Sequence, residues 1–225
     1  MISAVLTCAG NGTRFGKNKI ISLIKGKAVL VRTVEQFKKA KTIDEIIVVA
    51  KRHDFELYQN LLDQAKLKVK MVEGGEERII SAYNGVIAAK GEIIITHDGV
   101  RPLVSPDLID KVALAVKKYK AVIAGVPPTT TIKHIQKNLT VKKSLLRTET
   151  WMSQTPQGFQ KKLLLKAYKK AIDDKYFVPT DDSELVGRLG IKIKIMEGDQ
   201  RNIKITFPLD LIIAEGLLET FKDET

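Results

Sequence analysis

Short apolar runs alternate with stretches of helical spacing along most of the chain. Ala4–Cys8, Ile46–Ala50, Val69–Val72, Ile93–Thr96 and Ala121–Val126 are nearly continuous runs. Most are rich in Ile and Val, the pattern of strands buried on both faces. Between them, apolar positions recur at the helical period. Leu30, Val34 and Phe37 fall at i, i+4 and i+7, and Leu57, Leu61 and Leu62 form a similar face. Ser105-Pro106 reads as a helix start, with a hydroxyl cap and a proline in the first turn. Leu108, Val112 and Val116 then point inward. This β-α-β alternation predicts an α/β fold: a mostly parallel sheet, right-handed crossovers and helices on both faces. Active sites of such sheets lie beyond the carboxyl ends of the strands.

The alternation breaks over residues 129–154. That segment holds Thr129-Thr130-Thr131, a turn at Gln136-Lys137-Asn138 and several basic residues. It predicts a protruding β-hairpin, or β-arm, too small to be stable alone. It is expected to pack on something, a second subunit being the first choice. Helical spacing resumes over Lys161–Ile172 and Asp181–Leu189, followed by a strand at Ile191–Met196 and a helix at Leu209–Thr220. There is no repeat or linker, so residues 1–225 read as a single domain with 129–154 as an arm within it.

Composition narrows the function. Hydrophobic residues make up 44% of 225, enough for a sizeable core. No apolar run approaches the roughly eighteen residues of a membrane helix. Ile2–Cys8 reads as a buried strand rather than a leader, so the cytoplasm is the expected compartment. The single cysteine, Cys8, precludes an intramolecular disulfide and reads as a small core or loop residue. A net charge of +12 invites a nucleic-acid partner. However, the lysines are scattered in pairs, and the 6% aromatic residues do not interleave with a basic stretch. A basic nucleic-acid-binding protein therefore stands only as an alternative of another class. The expected partners are small anions, not nucleic acid or membrane.

Six segments could carry chemistry. The run from Thr7 to Lys19 contains Ala9, Gly10, Gly12, Arg14 and Gly16 directly after the first strand. Glycines bring backbone N–H groups close to phosphate oxygens, and Arg14 and Lys19 add charge. The run lacks the P-loop spacing, and Phe15 stands where a dinucleotide fingerprint needs its third glycine. Gly74-Gly75-Glu76 through Ser81 could read a base or ribose through backbone atoms, or simply be a loop and helix cap. His97-Asp98-Gly99-Val100-Arg101-Pro102 puts an acid and a base at a strand's carboxyl end. Asp98 and Arg101 could bind a polar phosphorylated substrate or simply pair. Asp98 could also hold a divalent cation through its water shell. His97 reads as structural, because an ionised phosphate nucleophile needs positioning rather than proton removal. Arg147, Trp151 and Gln154-Thr155-Pro156-Gln157 close the arm. Pro179-Thr180-Asp181-Asp182 is a helix start with acidic first-turn residues. In Asn202-Ile203-Lys204-Ile205-Thr206 the apolar residues alternate, so Lys204 should project opposite Ile203 and Ile205 from a strand end.

Taken in order, these segments resemble the 2-C-methyl-D-erythritol 4-phosphate cytidylyltransferases of the non-mevalonate isoprenoid pathway. The resemblance implies a Rossmann-like nucleotidyltransferase fold, a homodimer joined by exchanged β-arms, CTP as cosubstrate and Mg2+ held mainly by the CTP phosphates. It implies catalytic roles for Arg14, Lys19, Arg147 and Lys204, with Arg147 reaching across from the partner's arm. Asp98, Arg101, Thr131, Thr155 and Thr180 would contact the polyol phosphate. Cys8, Ala9, Gly10, Gly12, Gly75, Glu76 and Ser81 would surround the nucleotide. No protein metal ligands are implied. Four departures stand out. Cys8 replaces the usual Ala, Asn18 precedes Lys19 where Pro is usual, Thr130 replaces Asp, and Gly99-Val100 replaces two alanines. A ribitol 5-phosphate cytidylyltransferase is the alternative within enzymes. Val100 leans that way, whereas Trp151 and Thr180-Asp181-Asp182 lean toward the erythritol enzyme.

Overall fold

The computed structural model describes residues 1–10, 15–16 and 18–223, with side chains as far as Thr220. Gly12 and Arg14 lie outside the described residues. Eleven strands and seven α-helices are assigned among those described. In chain order they are β1 (Ile2–Thr7), β2 (Leu23–Ile24), β3 (Lys27–Ala28), α1 (Val29–Lys39), β4 (Glu45–Ala50), α2 (Phe55–Gln64), β5 (Lys70–Glu73), α3 (Arg78–Ala88), β6 (Ile93–Asp98), α4 (Pro106–Tyr119) and β7 (Ala121–Val126). There follow β8 (Lys133–Ile135), β9 (Val141–Ser144), β10 (Met152–Gln160), α5 (Lys161–Asp173), α6 (Asp182–Gly187), β11 (Lys194–Glu197) and α7 (Leu209–Asp223).

The fold is α/β, with a seven-stranded sheet in the order β11-β7-β10-β6-β1-β4-β5. Six strands run parallel, and β10 lies antiparallel between β6 and β7. Alternate residues of the central strands feed two cores. Ala4, Leu6, Ile46 and Val48 pack under α1, α2, α4 and α7, while Val5, Ile47 and Val49 pack under α3, α5 and α6. That explains the unbroken apolar runs: neither face meets water. Ser105 caps α4 as expected, its Oγ accepting from Leu108 N at 3.2 Å.

Four sequence expectations need correction. The antiparallel β10 was not foreseen, because Met152-Ser153-Gln154-Thr155-Pro156-Gln157-Gly158-Phe159-Gln160 carries few apolar residues and a proline. Its first residues, Met152–Gln154, belong to the central sheet rather than the arm. In α2 the buried face is Tyr58 and Leu62, whereas Leu57 is exposed. The strand expected at Ile191–Met196 is shorter and later, at Lys194–Glu197. The segment 203–206 is not a strand; it is pinned by a backbone hydrogen bond from Ile205 N to Val100 O of 2.9 Å. The arm forms as expected: β8 and β9 pair as a separate two-stranded sheet. Its turn is closed by Gln136 N donating to Thr140 O at 2.9 Å.

Candidate active site

A cleft of about 360 Å³ opens at the carboxyl ends of β1 and β6 and the amino end of α3. Thr7, Cys8, Ala9, Gly10 and Lys19 form one wall. Glu76, Glu77, Arg78 and Ser81 form another, and Asp98 and Lys204 complete it. The structure thus brings Lys19, Lys204, Asp98, Cys8, Ala9, Gly10, Glu76 and Ser81 together, although they come from four distant stretches of sequence. Arg101 joins them through its bond to Asp98.

Close packing sets the loops that carry Ala9 and Gly74. A Cβ on Gly74 would lie 2.7 Å from Ala9 Cβ and 2.8 Å from Ser81 Oγ, so only glycine lets these loops touch. A Cβ on Gly75 would overlap the Ile80 side chain. Ser81 Oγ lies 3.1 Å from both Gly75 O and Glu77 O and fastens the loop to α3. Gly10 faces open space. On the cleft floor, a Cβ on Gly99 would overlap the Cys8 Sγ. Cys8 and Gly99 are thus coupled: the sulfur at position 8 fills the space that a side chain at position 99 would need. Burial, with the nearby Asp98 and Asp54 carboxylates, pushes the Cys8 thiol far up, so it is an inert packing group.

Asp98 is the centre of the charged wall. Its Oδ2 accepts from Arg101 Nε at 3.0 Å and pairs with Lys204 Nζ at 3.1 Å. Burial alone would push this carboxyl up. The charges of Lys204, Arg101 and Arg78 outweigh it and hold the group well below the usual carboxylate range. Arg101 also donates to Asn202 O at 2.8 Å, which holds the segment bearing Lys204 against the β6 loop. Beyond Lys204, Asp210 Oδ2 accepts from Thr206 N at 2.6 Å and Phe207 N at 2.7 Å, fixing the start of α7.

The β10 strand ties this wall together. Its pairing with β7 slips between Gln154 and Gln157, leaving Thr155 and the cis-linked Pro156 outside the ladder. Thr155 Oγ1 accepts from Asp98 N at 3.1 Å and lies 2.9 Å from His97 Nδ1. His97 Nε2 lies 3.3 Å from Arg101 O, an acceptor, so the ring proton sits on Nε2 and Thr155 donates to Nδ1. Burial drives the His97 pKa down to about 3, leaving it neutral and structural, as its sequence context indicated. Asn202 Nδ2 donates to Thr155 O at 2.7 Å. His97, Thr155, Asn202 and Arg101 thus form a closed hydrogen-bonded ring beneath Asp98. Further along, Gln157 Nε2 donates to Asp181 Oδ2 at 2.9 Å, and Gln157 Oε1 accepts from Ser183 N at 3.2 Å. The α6 amino terminus is clamped by the same strand, and Asp181 caps it by accepting from Glu184 N at 3.0 Å.

Sequence reasoning assigned no individual role to Asn202, Gln157 or Arg78, and read Asp182 only as part of an acidic helix start that leans toward the erythritol enzyme. Gln157 and Asn202 were visible only as members of their motifs. Arg78 Nη1 pairs with the buried Asp182 Oδ1 at 3.1 Å, linking the nucleotide-side helix to the Thr180-Asp181-Asp182 turn. The Asp182 charge raises the Arg78 pKa further. No local signal joins residues 104 positions apart. Thr180 is exposed, and its Oγ1 donates to Glu184 Oε2 at 2.8 Å. Thr131 and Arg147 lie exposed on the arm and are not part of the cleft wall.

Among the described residues there is no cluster of three or more His, Cys, Asp or Glu able to hold a metal, and no helix long and apolar enough to cross a membrane. The model of the 2-C-methyl-D-erythritol 4-phosphate cytidylyltransferase family matches residues 2–220. The enzyme of that name from Caldanaerobacter subterraneus subsp. tengcongensis is 43% identical over 224 residues, covering 96% of this chain and 98% of its own. That from Syntrophus aciditrophicus is 37% identical over 225 residues, covering 97% and 96%. The crystal structure of 4-diphosphocytidyl-2C-methyl-D-erythritol synthase from Anaerococcus prevotii superposes with a TM-score of 0.87 at 33% identity, covering 97% and 96% of the two chains. A cleft that sets a glycine loop and Lys19 opposite Asp98 and Lys204, matched along nearly its whole length in this way, places the chain in the 2-C-methyl-D-erythritol 4-phosphate cytidylyltransferase family.

Proposed function

We propose that this protein is a cytidylyltransferase that joins CTP and 2-C-methyl-D-erythritol 4-phosphate, releasing pyrophosphate, in isoprenoid precursor biosynthesis. The observation that carries the reading is the pairing of Lys204 and Arg101 on one Asp98 carboxylate, in a cleft that Ala9, Gly10 and Lys19 also line. The polyol phosphate attacks the α-phosphorus in line and pyrophosphate leaves. Negative charge crowds that transition state, so orientation and cations do the work. Lys19, with Arg14, stabilises the charge at the α-phosphate. Lys204 positions the attacking phosphate, and Asp98 sets Lys204 in place before substrate arrives. Asp98, Arg101, Thr131, Thr155 and Thr180 select the polyol phosphate. Thr155, with its hydroxyl engaged by Asp98 and His97, does so by shaping the wall. Cys8, Ala9, Gly10, Gly12, Gly75, Glu76 and Ser81 enclose the nucleotide.

Mg2+ fits as a companion of the triphosphate: the wall offers a single deeply placed carboxylate, Asp98, rather than a cage. When bound, the ion supplies neutralising charge to the phosphates. The arm carries exposed Ile135, Leu139, Val141 and Leu146. Such a surface on a marginal hairpin supports a homodimer in which each arm lends Arg147 to its partner. The absence of a long apolar helix among the described residues is compatible with a cytoplasmic enzyme. The test is direct. Purified protein with CTP, Mg2+ and methylerythritol phosphate should release pyrophosphate, and faster than with ribitol 5-phosphate. No release with either substrate would refute the reading, and a preference for ribitol phosphate would reassign it.

A further inference from the structure

We infer that Asn18, with Tyr58 and Asp54, is a positioning anchor that aims Lys19 into the cleft, doing by hydrogen bonds what a proline before the lysine does by covalent restraint. The inference rests on the reading of Lys19 as the cation at the α-phosphate. Asn18 Oδ1 accepts from Ile20 N at 3.1 Å. This side-chain bond two residues ahead makes Lys19 the central residue of an Asx turn, so Asn18 defines the backbone from which Lys19 projects. The amide's other end donates to Asp54 Oδ1 at 3.3 Å. Ile20 N can only donate and the carboxylate can only accept, so the orientation of the amide is fixed.

The anchor reaches solid ground through Tyr58. Its hydroxyl lies 3.1 Å from Asn18 Nδ2 and 3.2 Å from Oδ1. Tyr58 is 1% exposed and the Asp54 side chain 16%. Both sit at the start of α2, packed on the sheet. The turn is also held from the far side: Ser22 N donates to Lys19 O at 3.3 Å, and Leu30 N to the buried Ile20 O at 3.0 Å. A lysine on a glycine-rich loop otherwise explores many positions, and small misplacement of a catalytic group costs on the order of 10²-fold in rate. Proline restrains such a backbone by fixing φ. Here a polar cluster of one loop residue and two helix-start residues provides the restraint.

The experiment is steady-state pyrophosphate release by the full chain with CTP, Mg2+ and methylerythritol phosphate, comparing Asn18→Ala, Asn18→Pro, Tyr58→Phe, Lys19→Ala and the doubles. Asn18→Ala should lower kcat roughly 10- to 100-fold, with KM for the polyol phosphate unchanged. Asn18→Pro should return kcat to within about threefold of the parent. Tyr58→Phe should slow the parent but add nothing in the Asn18→Pro background. Asn18→Ala should add nothing to Lys19→Ala, since it acts through that lysine. A full rate for Asn18→Ala, or an additive Asn18→Ala/Lys19→Ala double, overturns the anchor. A full rate for Lys19→Ala instead overturns the role of Lys19 itself. Should Asn18→Ala fail to fold, Tyr58→Phe in the two backgrounds carries the same decision.

Discussion

The arm and the strand that follows it are neighbours in sequence, yet they are built on opposite terms. From Gln154 to Phe159 the antiparallel strand is buried, and its polar residues close bonds within the chain: Thr155 to His97 and Asp98, Gln154 to Asp199, Gln157 to Asp181. From Lys133 to Ser144 every residue of the two paired strands is exposed, and Leu139 is 78% exposed. Buried polar groups are stable when partnered, and the β10 network is nearly complete as it stands: Asn202 Oδ1 is its one buried side-chain atom without a hydrogen-bond partner among the described residues. A two-stranded hairpin that exposes its apolar residues is not complete. The difference teaches that the cleft wall is built by the central sheet and its loops, with Arg147 and Thr131 outside it on the arm.

The largest effects are expected on the finished side of that comparison, where the cleft wall carries two lysines, Lys204 and Lys19. Lys204→Ala leaves Asp98 without one of its two direct ion-pair partners and, on the proposed function, the attacking phosphate without its guide. Turnover should fall on the order of 10²- to 10³-fold, as for loss of other preorganised charges at a transition state. Lys19→Ala should lose mainly turnover as well. Unchanged rates in steady-state pyrophosphate release would remove either lysine from the mechanism.

Mixing variants tests whether the exposed arm serves another subunit. Suppose Arg147→Ala and Lys19→Ala protomers are each nearly inactive. A heterodimer then rebuilds one intact site if Arg147 acts in trans and none if it acts in cis. With random exchange, a 1:1 mixture should recover about a quarter of the parent activity, given two-fold symmetric assembly. Absence of recovery after exchange verified by native mass spectrometry would confine Arg147 to its own protomer and erase the distinction between the two regions.

The strands, the helices and the arm were legible in the sequence wherever burial is simple. Two buried faces write continuous Ile and Val, and Ser105 with Pro106 writes a helix start. β10 was illegible for a physical reason. Its backbone pairs with strands on both sides, but its side chains serve the site, so it carries Gln, Thr and Pro where a core strand carries Val. The same holds within the site. Lys19, Asp98 and Lys204 sat in readable motifs, while the Arg78–Asp182 bridge and the Asn202–Thr155 bond join residues that only the fold brings together. The pairing of Cys8 with Gly99 was visible as two separate oddities and became one fact only when their contact was known.

That pair gives a smaller, packing-level test of the finished side of the cleft. Gly99→Ala should destabilise the protein by about 1–3 kcal/mol, because the new methyl has no room beside the buried sulfur. Cys8→Ala opens that room. The Cys8→Ala/Gly99→Ala double should be more stable than the sum of the singles by about 0.5–3 kcal/mol. Urea midpoints at constant m-value measure it. Strict additivity would mean that the contact does not govern the choice of glycine.

A last test concerns pH and separates structural from catalytic use of the β10 network. His97 is held neutral, with a pKa of about 3 against an ordinary 6.5. The unfolded chain takes up a proton below pH 6.5 that the folded chain refuses. The contribution of this residue to stability is therefore full above pH 6.5 and declines as pH falls toward 3. Asp98, also held below its usual range, adds a loss in the same direction, but only under about pH 4. The window from pH 6.5 to 4 thus isolates His97 from Asp98. His97→Gln keeps a donor and an acceptor in the ring but cannot titrate, so its melting temperature should fall less steeply across that window than the parent's. The pH profile of kcat should keep its shape, because a neutral His97 transfers no proton. If His97→Gln instead abolished an inflection near pH 6.5 in kcat, the imidazole would be acting on substrate, and the β10 network would be catalytic machinery rather than its support.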